Sequence, residues 1–221
     1  MPDESNDIAA LVTRPLRLSE NPVYTFYEGG LLWRQFRRSR CRHDSRWAED
    51  WVASCIPATN ADPQGLAQGL SRVAGANGHA LTLASVIAAA PQAMLGEARA
   101  ARWGPDSKAQ VKLVAPSRRV PLHTHPADDF AQRYFGASCG KAEAWIVLAS
   151  PATAKGSAYA GIGFKPDVTA EAFGAAVKTQ DHDALFDMVH RTEIAAGDVI
   201  FVRPGVPHYV TGVGSKSRFG A

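Results

Sequence analysis

The run Val120-Pro121-Leu122-His123-Thr124-His125-Pro126 places two histidines two residues apart at the end of an apolar stretch. On an extended chain alternate side chains share a face, so both imidazoles would point the same way and could chelate one metal ion. A His-x-His pair alone fits two loop histidines equally well, and the rest of the chain decides between the readings.

Composition bounds the answer. The chain has 221 residues, 46% of them hydrophobic, enough to bury a substantial core in one large domain or two small ones. A net charge of +3, with the arginine excess concentrated between Arg34 and Arg46, does not describe a nucleic-acid binder. Two readings of that block stand. It is a solvated basic segment anchored by Trp33 and Phe36, or one or two of its guanidinium groups face an anionic substrate. Cys41, Cys55 and Cys139 are odd in number and lack metal-finger spacing, which suits free thiols in a reducing compartment. The polar, acidic N-terminus is unlike a signal peptide, and no apolar run is long enough to span a bilayer. The expected location is cytoplasmic, with no membrane partner.

The N-terminal half reads as a polar lead-in to about residue 19, with an edge strand at Ile8 to Val12, then a strand over 47–56 and a turn-rich stretch over 57–69. Thr82 is placed to cap a helix with Leu83, Val86 and Ile87 at helical spacing, and Pro91 opens a second short helix. Beyond Gly104-Pro105 the texture changes to strands, at 110–115, 119–125, 143–149, 157–164 and 199–202. A short helix follows Pro126 and stops at Gly136. Thr169 and Asp181 cap two more, with Phe173 and Val177 inward on the first and Leu185, Met188 and Val189 inward on the second.

Three segments can now be combined. His123 and His125 lie on one strand, Glu143 begins another, and His208 follows the Gly197-Asp198 strand and a Pro204-Gly205 turn. If these strands close into a small barrel, alternate residues point inward, and Lys141, Glu143 and Trp145 would face the lumen with the histidines. Three imidazoles and a carboxylate suit zinc, iron, manganese, nickel or copper better than calcium or magnesium. His43, His79, His182 and His190 sit among charged or small residues and read as solvent-facing.

The order His-x-His, Glu, then Gly-Asp, strand, Pro-Gly-x-x-His resembles the two motifs of the cupin superfamily, and most closely the type I mannose-6-phosphate (phosphomannose) isomerases. The strand lysine of Val111-Lys112-Leu113-Val114, the segment Leu122 to Asp129 around His125-Pro126, Gly140-Lys141-Ala142-Glu143-Ala144-Trp145, Gly163-Phe164-Lys165 and Gly197-Asp198 to His208 carry the resemblance, and Glu49-Asp50-Trp51 adds a weaker one. It implies a mainly β fold, a double-stranded β-helix or jelly-roll barrel with short helical insertions. Residues 106–221 would form the barrel core, and residues 1–105 would pack strands and a helical segment on it. It implies one Zn2+ per chain, with Fe or Mn as alternatives, held by His123, His125, Glu143 and His208, and places Lys141 and Lys112 among catalytic residues. His123 stands where the family has glutamine. After His208 only Tyr209 to Ala221 remain, so the resemblance implies a relative without the family's C-terminal part.

The expected function is metal-dependent interconversion of mannose 6-phosphate and fructose 6-phosphate through a cis-enediol, on a monomer or homodimer whose partner is a small phosphorylated sugar. Two alternatives stay open: a sugar-phosphate-binding cupin without catalysis, and a cupin metal oxygenase.

Overall fold

The computed structural model describes residues 4–40, 43–60, 62, 64–74, 80–150 and 158–211. Cys41, His79, Ser157 and the stretch 212–221, with Lys216 and Arg218, lie outside the described residues. The chain divides into two compact units, Met1–Ala115 and Pro116–Ala221.

The first unit contains, in order, α1 (Glu4–Leu11), β1 (Pro22–Val23), α2 (Leu31–Phe36), β2 (Glu49–Val52), β3 (Arg72–Ala74), β4 (Ala80–Thr82), α3 (Leu83–Ala89), α4 (Pro91–Leu95), α5 (Glu97–Trp103) and β5 (Val111–Val114). Strands β1, β2 and β5 form one antiparallel sheet, with Trp51 opposite Lys112, and β3 pairs with β4. Thr82 caps α3 as its position requires, its hydroxyl accepting the Ser85 N–H at 3.0 Å, and Pro91 opens α4. The edge strand expected at Ile8 to Val12 is not formed: Ile8 to Leu11 are the end of helix α1 and Val12 lies in the turn after it. Leu11 is buried with Val73, Leu83, Val86 and Ile87, and this packing holds a helix too short to persist alone. Trp33 is buried, its indole N–H donating to the Ala48 carbonyl, but Phe36 is 62% exposed and anchors nothing. Arg34 follows neither reading of the basic block: it is buried and donates to the carbonyls of Gly29, His43 and Trp47, so it braces the backbone.

The second unit contains α6 (Asp128–Phe135), β6 (Glu143–Ile146), β7 (Tyr159–Phe164), α7 (Ala170–Thr179), α8 (His182–Asp187), β8 (Val189–Glu193), β9 (Val199–Val202) and β10 (His208–Val210). One sheet runs β10-β7-β8 and the other pairs β6 with β9, all antiparallel. Their inner faces meet in a cluster of Ala158, Ala160 and Ile194 with Trp145, Ile162 and Ile200. The outer face of the three-stranded sheet is covered by Phe186 of α8, which packs with Val189 and Tyr209. The outer face of β6 and β9 shows Ile146, Val199 and Phe201 to solvent.

The β-rich architecture expected from the sequence is present as open, facing sheets, and among the described residues no sheet closes into a barrel. Thr169 and Asp181 do cap α7 and α8. Val177 is nonetheless 41% exposed, and Phe173 takes the inward role through a contact with Phe164. On α8 the buried residue is Phe186, between the half-buried Leu185 and Met188.

Candidate metal centre

The segment 119–125 is extended but forms no regular strand. Val120 donates its N–H to the Val210 carbonyl, and His123 and His208 exchange both backbone hydrogen bonds, at 3.1 and 2.8 Å. This pairing sets two imidazole-bearing residues directly opposite each other, at the position where cross-strand side chains meet. The Gly205 N–H, in the turn before His208, donates to the His125 carbonyl and fixes the third. The carboxylate arrives from another direction. Lys141 donates its N–H to the Pro126 carbonyl and Gly140 donates to the Asp128 carboxylate, so the approach to β6 lies against the histidine segment. That approach requires glycine at 140, because a Cβ there would overlap the Pro126 carbonyl and the Ala127 backbone.

One ring nitrogen from each of His123, His125 and His208 lies within 4.8 Å of the others. His123 Nδ1 lies 2.9 Å from the Pro121 carbonyl and His208 Nδ1 lies 2.8 Å from the Val206 carbonyl. A carbonyl only accepts, so each Nδ1 carries the hydrogen and each Nε2 keeps its lone pair, the arrangement in which imidazole binds a metal. His208 is fully buried and its Nε2 has no hydrogen-bond partner. Such an orphaned acceptor costs about 1–3 kcal/mol unless something fills it. A divalent cation is the group these lone pairs fit.

Glu143 completes the cluster. Its Oε1 lies 2.9 Å from His125 Nε2 and 2.5 Å from the Lys141 ammonium, while its Oε2 accepts the Trp145 indole N–H at 3.0 Å and lies 3.6 Å from His208 Nε2. Burial alone would raise its pKa, but His125, Lys141 and Trp145 outweigh burial and hold the carboxyl well below the usual carboxylate range. Burial pushes His123 and His208 down from the ordinary imidazole value, so both stay neutral and metal-competent further into acid. Lys141 also reaches His125 Nε2 at 2.9 Å. An ammonium has no lone pair, so here the lysine places its positive charge where a carboxylate and an imidazole both face a cation.

Lys112 lies in the first unit, on β5. Its ammonium is 3.1 Å from Glu49 and 4.5 Å from the Trp51 ring centroid. Glu49 also accepts the Tyr27 hydroxyl at 2.5 Å and the Trp51 indole N–H at 2.6 Å. No motif marks Tyr27 as a partner of Glu49 or Glu49 as the partner of Lys112, although Glu49-x-Trp51 repeats the spacing of Glu143-x-Trp145. His43, His182 and His190 are exposed, and Cys55 and Cys139 are free thiols.

Solved structures of mannose-phosphate isomerases share this architecture. A protein from Archaeoglobus fulgidus assigned as a mannosephosphate isomerase superposes with a TM-score of 0.67 at 25% identity, over 90% of this chain and 59% of its own. The mannose 6-phosphate isomerase of Bacillus subtilis superposes with a TM-score of 0.60 at 19% identity, over 89% of this chain and 55% of its own. An arginine-to-alanine variant of phosphomannose isomerase from Salmonella typhimurium gives 0.63 at 14% identity, over 89% and 65%. The fold is that of the mannose-phosphate isomerases. The chain spans between half and two thirds of the length of these neighbours. No protein-family model and no curated protein matches it. No helix among the described residues is long and apolar enough to cross a membrane.

Proposed function

We propose that this chain is a metal-dependent aldose-ketose isomerase acting on a phosphorylated sugar, with mannose 6-phosphate and fructose 6-phosphate as its substrate pair. The observation that carries the reading is the convergence of three imidazoles in which the buried His208 Nε2 is left without a partner. The names of the fold neighbours supply the substrate class. Solved variants of the Salmonella enzyme replace a lysine thirteen residues before a histidine, and a lysine two residues before a glutamate. Lys112 stands thirteen residues before His125, and Lys141 two before Glu143.

His123, His125, His208 and Glu143 would hold the ion, and zinc suits this set of nitrogen and carboxylate donors. When bound, it supplies a Lewis acid that polarises the sugar's C1 and C2 oxygens. Isomerisation moves one proton between C2 and C1 through a cis-enediol and consumes no oxidant. Lys141, held by Glu143, would donate to a sugar oxygen as negative charge develops. The matching spacing is what supports Lys112 as a second cationic residue in this chemistry. The Trp145 indole N–H orients the carboxylate through Oε2.

Metal analysis of the purified chain alongside a coupled mannose 6-phosphate assay tests the reading. One zinc per chain with turnover is the expected result, and iron with oxygen uptake would overturn it. Stoichiometric metal with tight sugar-phosphate binding and no turnover would instead establish a binding protein without catalysis.

A further inference from the structure

The back of the strand that carries His208 holds a second polar site. Alternate residues of a strand face opposite sides, so His208 points to the inner face of β10 and Tyr209 to the outer one. Tyr209 pairs with Gly161 on β7, which pairs with Arg191 on β8, forming one row across the sheet. Above that row lies a solvent-open cavity of about 290 Å³. This is close to the lower end of the roughly 300–1,000 Å³ range of small-molecule sites.

The cavity walls carry Arg119, Lys165 and Arg191 against a single acid, Asp187, with the rings of Tyr159 and Tyr209 between them. Both guanidinium groups are stacked on aromatic rings, Arg119 at 3.3 Å from the Phe186 centroid and Arg191 at 3.5 Å from that of Tyr159. Stacking fixes the plane of each group and leaves its N–H edge for another partner. Arg119 is only 9% exposed, yet its buried Nε has no hydrogen-bond partner. Buried guanidinium donors are normally satisfied, so this one lacks an acceptor. None of Arg119, Lys165, Arg191 and Asp187 makes an ion pair among the described residues.

We infer that this cavity binds a small phosphate monoester, separately from the metal centre. Three cations against one acid leave an excess of two positive charges, matching a dianion, and planar guanidinium forks suit phosphate oxygens. Asp187 and the two phenols face the remainder of the ligand and suit a hydroxylated one.

Titration calorimetry of the full chain, treated with a chelator to clear the metal centre, tests the inference with glycerol 3-phosphate as probe. The expected result is saturable one-to-one binding, unchanged when the metal is restored, with no heat from glycerol and weaker binding of succinate. Arg191→Ala and Lys165→Ala each remove an exposed side chain and should each weaken binding about tenfold or more, with the circular dichroism spectrum unchanged. The inference is overturned by no binding at about 10 mM ligand, by wild-type affinity in both variants, by binding that requires the metal, or by succinate binding more tightly than the phosphate.

Discussion

The two units each build a glutamate, a lysine and a tryptophan into one polar cluster, and they finish it differently. In the first, Glu49 receives Tyr27, Trp51 and Lys112. In the second, Glu143 receives Trp145 and Lys141 in the same way, but imidazoles stand where the tyrosine would be. The shared part follows from strand geometry. Residues two apart lie on one face, so a tryptophan at i+2 brings its N–H to the carboxylate at i. The difference lies in the third partner. A phenol donates its hydrogen and closes the glutamate off. An imidazole tied through Nδ1 presents a lone pair instead and leaves the cluster open to a cation. Among the described residues only the second cluster meets the geometry of a metal site.

The largest effect that can break this contrast is removal of the buried donor. His208→Ala should lower metal affinity by more than the roughly 10–100-fold typical of losing an outer partner, read as metal per chain after dialysis. Unchanged metal content would show that the imidazoles only pack. Next come the paired carboxamides. Glu143→Gln, which keeps an oxygen donor but removes its negative charge, should weaken metal binding by about tenfold or more. Glu49→Gln should leave metal content alone and cost about 1–3 kcal/mol of stability in urea unfolding, and equal effects on metal from both would erase the distinction. Acid sharpens it further. Burial opposes the charge of Glu49, but Lys112, Tyr27 and Trp51 outweigh burial and hold its pKa below the ordinary glutamate value of 4.5. Its contribution is therefore full above that value and is lost as pH falls below it. The drop in urea midpoint from neutral pH into that acid range should be smaller in Glu49→Gln than in the wild type. The smallest effect separates the units themselves. Thr82→Ala and Thr169→Ala should each cost about 1 kcal/mol as lost helix caps. Neither should alter metal content.

Local chemistry made much of this legible. The caps at Thr82, Thr169 and Asp181 and the stop at Gly136 act within a few residues, and each stands where its side chain or backbone requires. The cluster of His123, His125, His208 and Glu143 was legible because His-x-His, Lys-x-Glu-x-Trp and Gly-x-x-His each keep their chemistry in a short segment. What depends on distant packing was not. Leu11 makes a helix of an expected strand because Val73 and Val86 lie beside it. Phe36 and Val177 look apolar enough to be buried, but they face solvent. Closure of a barrel is a property of hydrogen bonds between strands, which no single strand's pattern carries. Arg119 and Arg191 are 72 positions apart in sequence, and only the sheet and α8 bring them to one cavity.

Gly161 ties these observations to the evolution of the chain. A methyl group there would overlap the Tyr209 ring, which lies across it. Tyr209 is chain-adjacent to His208, so position 161 has an alphabet of one letter while tyrosine stands at 209. A library randomised at both positions should return glycine with tyrosine, or a larger residue at 161 with a smaller one at 209, and few other pairs.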